Sequence, residues 1–293
     1  MTVLSQHFPA LLIALPLLGA FAVPLVGKLG RRPRDLWVTL IALLTAAVAA
    51  ALAARVLGGG GAPLLYVMGS PDGFAVPLPS GMFIPIRIMF EIDGVNALML
   101  LITALASVAA ALYSLSYLRD RSGTDSYYAL LLLLVTGVFG LEVTGDLFNF
   151  FVFLEITSIA ACGLIGFRTW QKRAPEAAYK VMTLYTLAGL SVLLAVSFLY
   201  AEHGTLNMAH LAAAIRGGLV DKISLALLFT GLAMKAAAVP LHLWAPDAYG
   251  EAPAPVSVLL VANSQASLYG LFRVVFTLFG GIGAAPLLGW MLV

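Results

Sequence analysis

Residues 228–257 read LFTGLAMKAAAVPLHLWAPDAYGEAPAPVS. The stretch begins as an apolar helix suited to a membrane and carries Lys235 in its middle, with no charged neighbour in sequence. Pro240 then interrupts the helix. A polar segment with His242, Asp247 and Glu251 follows, and Pro253 and Pro255 open the next helix. Each feature is costly in lipid. A charge near the bilayer centre costs about 2.5–3.5 kcal/mol on insertion scales. Pro240 has no N–H for the carbonyl of Ala236, so a free backbone acceptor is expected beside Lys235. A buried lysine, a free carbonyl and a broken helix together point to a path for a cation or a proton.

The surrounding composition agrees. Of 293 residues, 61% are hydrophobic and 10% charged, and the mean hydropathy is +1.01. A soluble domain carries about 25% charged residues. Several apolar runs reach the ~20 residues that cross the hydrocarbon core as a helix, and none alternates like a strand of an outer-membrane barrel. The fold class is an all-α integral membrane protein. A net charge of +2 supports no nucleic-acid partner. The single cysteine, Cys162, forms no internal disulfide and cannot hold an iron–sulfur cluster alone. No Gly-rich nucleotide loop is present, so no cofactor and no metal is expected. The glycine run at 58–61 reads as a flexible connector. The N-terminus lacks a basic region, so the first span is expected to be retained.

About eight spans are expected, near 8–26 (bent at Pro16 and Pro24), 36–57, 93–119, 127–144, 147–167, 177–200, 223–247 and 256–278. The seventh is the broken one. A long connector of low charge occupies 58–90, and a softer amphipathic stretch, 205–215, is expected at the interface. The chain divides into 1–121 with helices one to three, 122–280 with helices four to eight, and 281–293 as the start of a truncated ninth helix. The loops after spans one, three and five carry Lys28, Arg31, Arg32, Arg34, Arg119, Arg121, Arg168, Lys172 and Arg173, against Arg87 and Arg216 opposite. The positive-inside rule then places the basic loops in the cytoplasm and the N-terminus outside.

Two ionisable residues fall at mid-span. Lys235 is the midpoint of 223–247, and Glu155 lies within a turn of the midpoint of 147–167, so the two share a depth. Burial favours the neutral amine of Lys235, which suits it to accept and release protons, and a nearby carboxylate couples to it. The bland alternatives are a snorkelling lysine and a glutamate bonded to Asn149 or Ser158. Lys180, inside the sixth span, either modulates the charge on Glu155 or snorkels. His242 either passes protons between Lys235 and the cytoplasm or hydrogen-bonds the broken backbone. Asn263 and Ser267, four apart with Ser264 and Gln265 nearby, either hydrate a path or join helices. Glu142 and Asp146 read as residues that cap or hydrate the boundary.

DLFNFFVFLEITSIAACGLIGF (146–167), with its central Glu155, and AMKAAAVPLHLWAPDAYGEAPAPVSVLL (233–260) resemble the antiporter-like subunits of respiratory complex I. The likeness is greatest to the corresponding large subunit of Mrp-type multisubunit cation/proton antiporters and to the matching subunits of membrane-bound hydrogenases. DGVNALM (93–99) and LYGLFR (268–273) fit the same family. The resemblance implies two inverted five-helix repeats, each with a broken helix; spans four to eight would be the first, forming a cytoplasmic half-channel. It assigns Glu155, Lys235 and Lys180 to the proton relay, and the position of His242 two residues after the break adds it to them as a candidate. It implies proton translocation, or proton exchange for sodium, in a multisubunit complex of the inner membrane, with no redox centre in this chain. Gln265 stands where many members carry a second lysine, so a relay past Lys235 would run through water held by Asn263, Ser264 and Gln265. The chain ends where the second repeat would begin, as a fragment or a split subunit would. A solute carrier would instead need a midplane substrate pocket, and a purely structural subunit would not need both Glu155 and Lys235 at one depth.

Overall fold

The computed structural model describes residues 6–60, 62–68, 88–119, 121–284 and 286. Two long helices, α1 (Phe8–Gly27) and α2 (Arg31–Gly58), lead into a short antiparallel pair, β1 (Leu64–Val67) with β2 (Met89–Ile92). Then come α3 (Gly94–Tyr117), α4 (Thr124–Val143), α5 (Leu147–Ile165), α6 (Arg173–His203), the short α7 (Met208–Ala214) and α8 (Leu219–Lys235). Another short helix, α9 (Ala245–Glu251), precedes α10 (Ala254–Phe272), which runs on as a π-helical turn, Arg273–Leu278. Among the described residues, seven helices are long and apolar enough to cross a membrane: α1 to α6, and α10 with its π-helical extension. The protein is a multi-pass membrane protein. The 17-residue α8 falls just short by the same measure, because it stops at Lys235. Pro16 and Pro24 lie inside α1, which runs through both. The expected ninth helix, 281–293, falls mostly outside the described residues, as does Arg87.

The connector 58–90 is not all loop, since the β1–β2 pair stands at its two ends, in register from Leu64 opposite Ile92 to Val67 opposite Met89. Local side chains set the helix starts. Asp93 caps α3 in a capping box with Asn96, and Asp146 caps α5 by accepting from the Asn149 N–H at 2.8 Å. Asn207 does the same for α7 through His210. The α4–α5 turn is then closed by backbone pairing: Gly145 N–H donates to Met89, Leu147 to Leu206, and Met208 to Gly145. Segments 89–92, 144–146 and 206–208 thus seal the end of the bundle opposite the basic loops.

The core lies around α4, buried on nearly every side by α1, α3, α5 and α10. Its approach to α5 depends on glycine. A Cβ at Gly140 would overlap the Phe153 ring, and one at Gly137 would stand 2.5 Å from Thr157. Outward, Leu18, Phe21, Leu105 and Ile159 are exposed. Such an apolar surface suits lipid rather than water.

Candidate functional site

Helix α8 ends at its buried lysine, Lys235. Ala237 adopts φ +59°, left-handed without being glycine. Ala238 N–H reaches the Ala233 carbonyl at 2.9 Å and Ala237 N–H reaches Met234 at 3.3 Å, the pairing of a Schellman stop. Pro240 was expected to make the break and to free the carbonyl of Ala236. The helix instead stops at Lys235, because the chain turns at Ala237, three residues before Pro240 is reached. The Met234 carbonyl also accepts from the Trp244 indole at 2.9 Å, so the opened end is capped from within the irregular segment. Arg168, from the α5–α6 loop, holds that segment's far end through the Glu251 carbonyl.

Lys235 is 0% exposed. Its Nζ donates to the Leu154 carbonyl at 2.9 Å and to the Ser158 hydroxyl, and lies 5.0 Å from the centre of the Tyr185 ring. Glu155 Oε1 is 3.6 Å away. The lysine head therefore meets α5 at its middle turn, which brings Lys235 and Glu155 together as the shared depth implied. The Glu155 side chain is 34% exposed and borders a groove of about 460 Å³ lined also by Ser158, Cys162, Tyr179, Met182 and Tyr185. Room for its carboxylate comes from Gly189 of α6, where a Cβ would overlap Glu155 Oε1.

Lys180 does not join this cluster. Its side chain is 47% exposed and pairs with Asp247 at 2.8 Å and Glu176 at 2.9 Å. A helix rises 1.5 Å per residue, so the stretch from Lys180 to Gly189 covers roughly 13 Å. With Arg173, Asp247 and Glu251 it borders a polar cleft of about 240 Å³ at the basic-loop end. His242 is half-buried in the irregular segment, with Nδ1 buried and unpartnered among the described residues. On α10, Asn263, Ser264 and Ser267 are buried, and the Asn263 side chain lies beside the Tyr185 hydroxyl without a hydrogen bond of ordinary geometry among the described residues. Ser264 meets the Tyr249 hydroxyl at 2.8 Å. Gln265 is exposed and faces away from this row, so it cannot hold water there. Glu142, expected at the boundary, is fully buried and receives the Thr103 hydroxyl.

Gly189, Tyr185, Trp244 and Ala237 were not legible as site residues. They act by shape or backbone angle, and neither charge nor spacing marks them. Gly189 gives a test. Gly189→Ala is expected to push the Glu155 carboxylate off Lys235 and to slow transport by between about tenfold and 100-fold, as sub-ångström to ångström misplacement of a reacting group does. Proton uptake by the reconstituted complex, at matched protein level, checks this; an unchanged rate would show that Gly189 does not set the position of Glu155.

The chain is a bundle of membrane helices with a broken helix, whose terminal lysine docks on the middle of a neighbour beside a glutamate, and its relatives place it among the antiporter-like membrane subunits. Residues 144–291 match the family described as NADH:quinone oxidoreductase/Mrp antiporter, TM, and the chain belongs to that family. Residues 79–128 match the family described as NADH-Ubiquinone oxidoreductase (complex I), chain 5 N-terminus. The chain is 36% identical to NADH-quinone oxidoreductase subunit N of Desulforudis audaxviator (strain MP104C), over 98% of this chain and 57% of that protein. Against subunit N 1 of Solibacter usitatus (strain Ellin6076) the values are 33%, 64% and 40%. Among solved structures, one of the membrane-bound sulfane sulfur reductase, an archaeal respiratory membrane complex, contains a chain with TM-score 0.81 and 36% identity, over 92% of this chain and 53% of its own. A chain of the Mrp complex from Dietzia sp. DQ12-45-1b gives 0.77 and 26%, over 96% and 50%. The chain thus spans about half the length of the relatives it matches.

Proposed function

We propose that this chain forms a proton half-channel of a multisubunit membrane complex, with Lys235 and Glu155 as its central relay. The observation that carries the reading is the fully buried Lys235 Nζ, bonded to Leu154 and Ser158 with Glu155 Oε1 at 3.6 Å. With an ammonium and a carboxylate this close, a proton gained or lost by one changes the charge that the other faces. The polar cleft at Lys180 and Asp247 is the mouth on the basic-loop side, which the positive-inside rule makes cytoplasmic. His242 stands between that side and Lys235 in sequence, with its Nδ1 buried and unpartnered among the described residues. Beyond Lys235, the Asn263 side chain, without a hydrogen bond of ordinary geometry among the described residues, suits bound water that continues toward Ser264 and Tyr249. Helices α4, α5, α6, α8 with α9, and α10 correspond to the first five-helix repeat of an inverted-repeat transporter, giving eight spans with α8 counted.

The test uses the complete complex in proteoliposomes. Glu155→Gln keeps shape and hydrogen-bonding atoms but cannot ionise. Proton uptake driven by the complex's own reaction is expected to fall about tenfold or more, with assembly intact. Uptake at the wild-type rate would remove Glu155 from the path.

A further inference from the structure

The sealed end of the bundle holds a carboxyl that the Lys235–Glu155 pair does not use. Glu142 sits one residue before the end of α4 and is fully buried. Side chains on a helix lean toward its N-terminus, so this carboxyl reaches back into the bundle, beneath the seal made by 89–92, 144–146 and 206–208. Its Oε1 accepts from the Thr103 hydroxyl of α3 at 2.5 Å, while Oε2 is buried with no hydrogen-bond partner among the described residues. A carboxylate oxygen buried without a donor is costly, and a proton on it removes most of that cost.

A polar cluster lies between the main-chain oxygen of Glu142 and open space, and its Tyr269 hydroxyl is close enough to feel the charge of the Glu142 carboxyl. Asn96 Nδ2 donates to the main-chain oxygen of Glu142 and to the Tyr269 hydroxyl, the latter at 2.7 Å. Arg273 Nε donates to the same hydroxyl at 2.8 Å, so the hydrogen of Tyr269 itself is left uncommitted. A cavity of about 70 Å³ opens beside them, mostly apolar through Leu141, Phe150, Met208 and Leu278, with Asn96, Tyr269 and Arg273 among its polar lining residues. The cation of the cluster, Arg273, is already committed to Asp93, Asn96 and Tyr269. The titratable groups facing this site are therefore Tyr269, Arg273, Asp93 and Glu91, and among the described residues none of them neutralises Glu142 by direct contact.

We propose that Glu142 is a second proton-binding carboxyl, loaded and emptied through the cavity beside Tyr269 at the end of the bundle remote from Lys180 and Asp247. The proton passes between Oε2 and water of the cavity, and only O–H bonds are made and broken. The inference rests on the proton-conducting reading for its purpose, while its test does not depend on transport.

That test is infrared difference spectroscopy of the complete complex between acid and alkaline buffer, in H₂O and in D₂O. A carboxylic-acid C=O band that shifts in D₂O is expected, lost in Glu142→Gln and retained in Lys235→Met. Thr103→Val, which removes a donated hydrogen bond and leaves the carboxyl, should move that band without abolishing it, and it carries the test alone if Glu142→Gln does not assemble. A band unaltered in both variants would overturn the proposal. So would one governed by sodium concentration at fixed pH, which would make Glu142 a cation ligand. If Lys235→Met leaves proton uptake intact while the Glu142 band stands, the relay reading fails and this one survives.

Discussion

Lys235→Met is expected to abolish proton translocation by the assembled complex, and Lys235→Arg is expected to abolish it as well. Both outcomes follow from what the Nζ does at the turn 154–158. Methionine fills a similar volume but brings no proton and no charge. Arginine keeps the charge and reaches the same acceptors, yet it stays protonated at every physiological pH and so holds the proton instead of passing it. A fixed positive charge that only stabilises Glu155 would be served by Arg; a relay would not. The expected loss is at least about 100-fold, the scale of removing an essential acid–base group. Folding should survive Met better than a fully buried ion pair would allow, because the Glu155 side chain is 34% exposed and borders the groove on α5 and α6, although Oε1, the oxygen that faces Lys235, is buried. Truncating one member of a fully buried pair costs about 3–5 kcal/mol, and this pair should lose less. Proton uptake in proteoliposomes, normalised to the complex's driving reaction, decides the matter. Wild-type uptake in the Arg variant would reduce Lys235 to a structural cation.

Hydropathy and charge were enough to find seven of the eight expected spans, because lipid forces each helix to satisfy its own backbone and to show apolar side chains outward. The Lys235–Glu155 pairing was legible for the same reason: span midpoints share a depth whichever way each helix runs. Depth says nothing about rotation or side-chain direction, and there the reading stopped. Lys180 lies at the right end of its helix but turns to Asp247, a partner supplied by the short helix α9, distant in sequence. Glu142 looks like a boundary residue by its position one before the end of α4, yet its side chain leans inward and meets Thr103. Gln265 follows the opposite logic. Asn263 and Ser267 are one turn apart and share a face, so the helical period places Gln265 on the other side, where it is exposed. That much could have been counted from the sequence. The stop at Ala237 could not, because alanine is the best helix former and gives no signal for a left-handed residue.

Ala237 is for that reason the position where a one-methylene-scale change should have the widest consequences. Its φ of +59° is a conformation that costs an L-residue roughly 1–2 kcal/mol. Glycine relieves that cost, so Ala237→Gly is expected to raise the unfolding temperature of the complex's membrane arm, or leave it unchanged where the added freedom of the unfolded chain offsets the gain. Valine does the reverse. A β-branched residue is an outlier in the left-handed region, at a cost on the order of 1–3 kcal/mol, and the chain can escape it by continuing α8 past Lys235. Continuation would break the bonds from Ala237 and Ala238 to Met234 and Ala233, draw the Met234 carbonyl away from the Trp244 indole, and rotate the lysine off Leu154 and Ser158. Ala237→Val is therefore expected to lose most proton uptake although no ionisable group has changed, with Ala237→Gly close to wild type. Thermal unfolding read beside proton uptake tests both signs at once. Full transport in the Val variant would mean that the position of Lys235 is fixed by its contacts on α5 and not by the stop that ends its own helix.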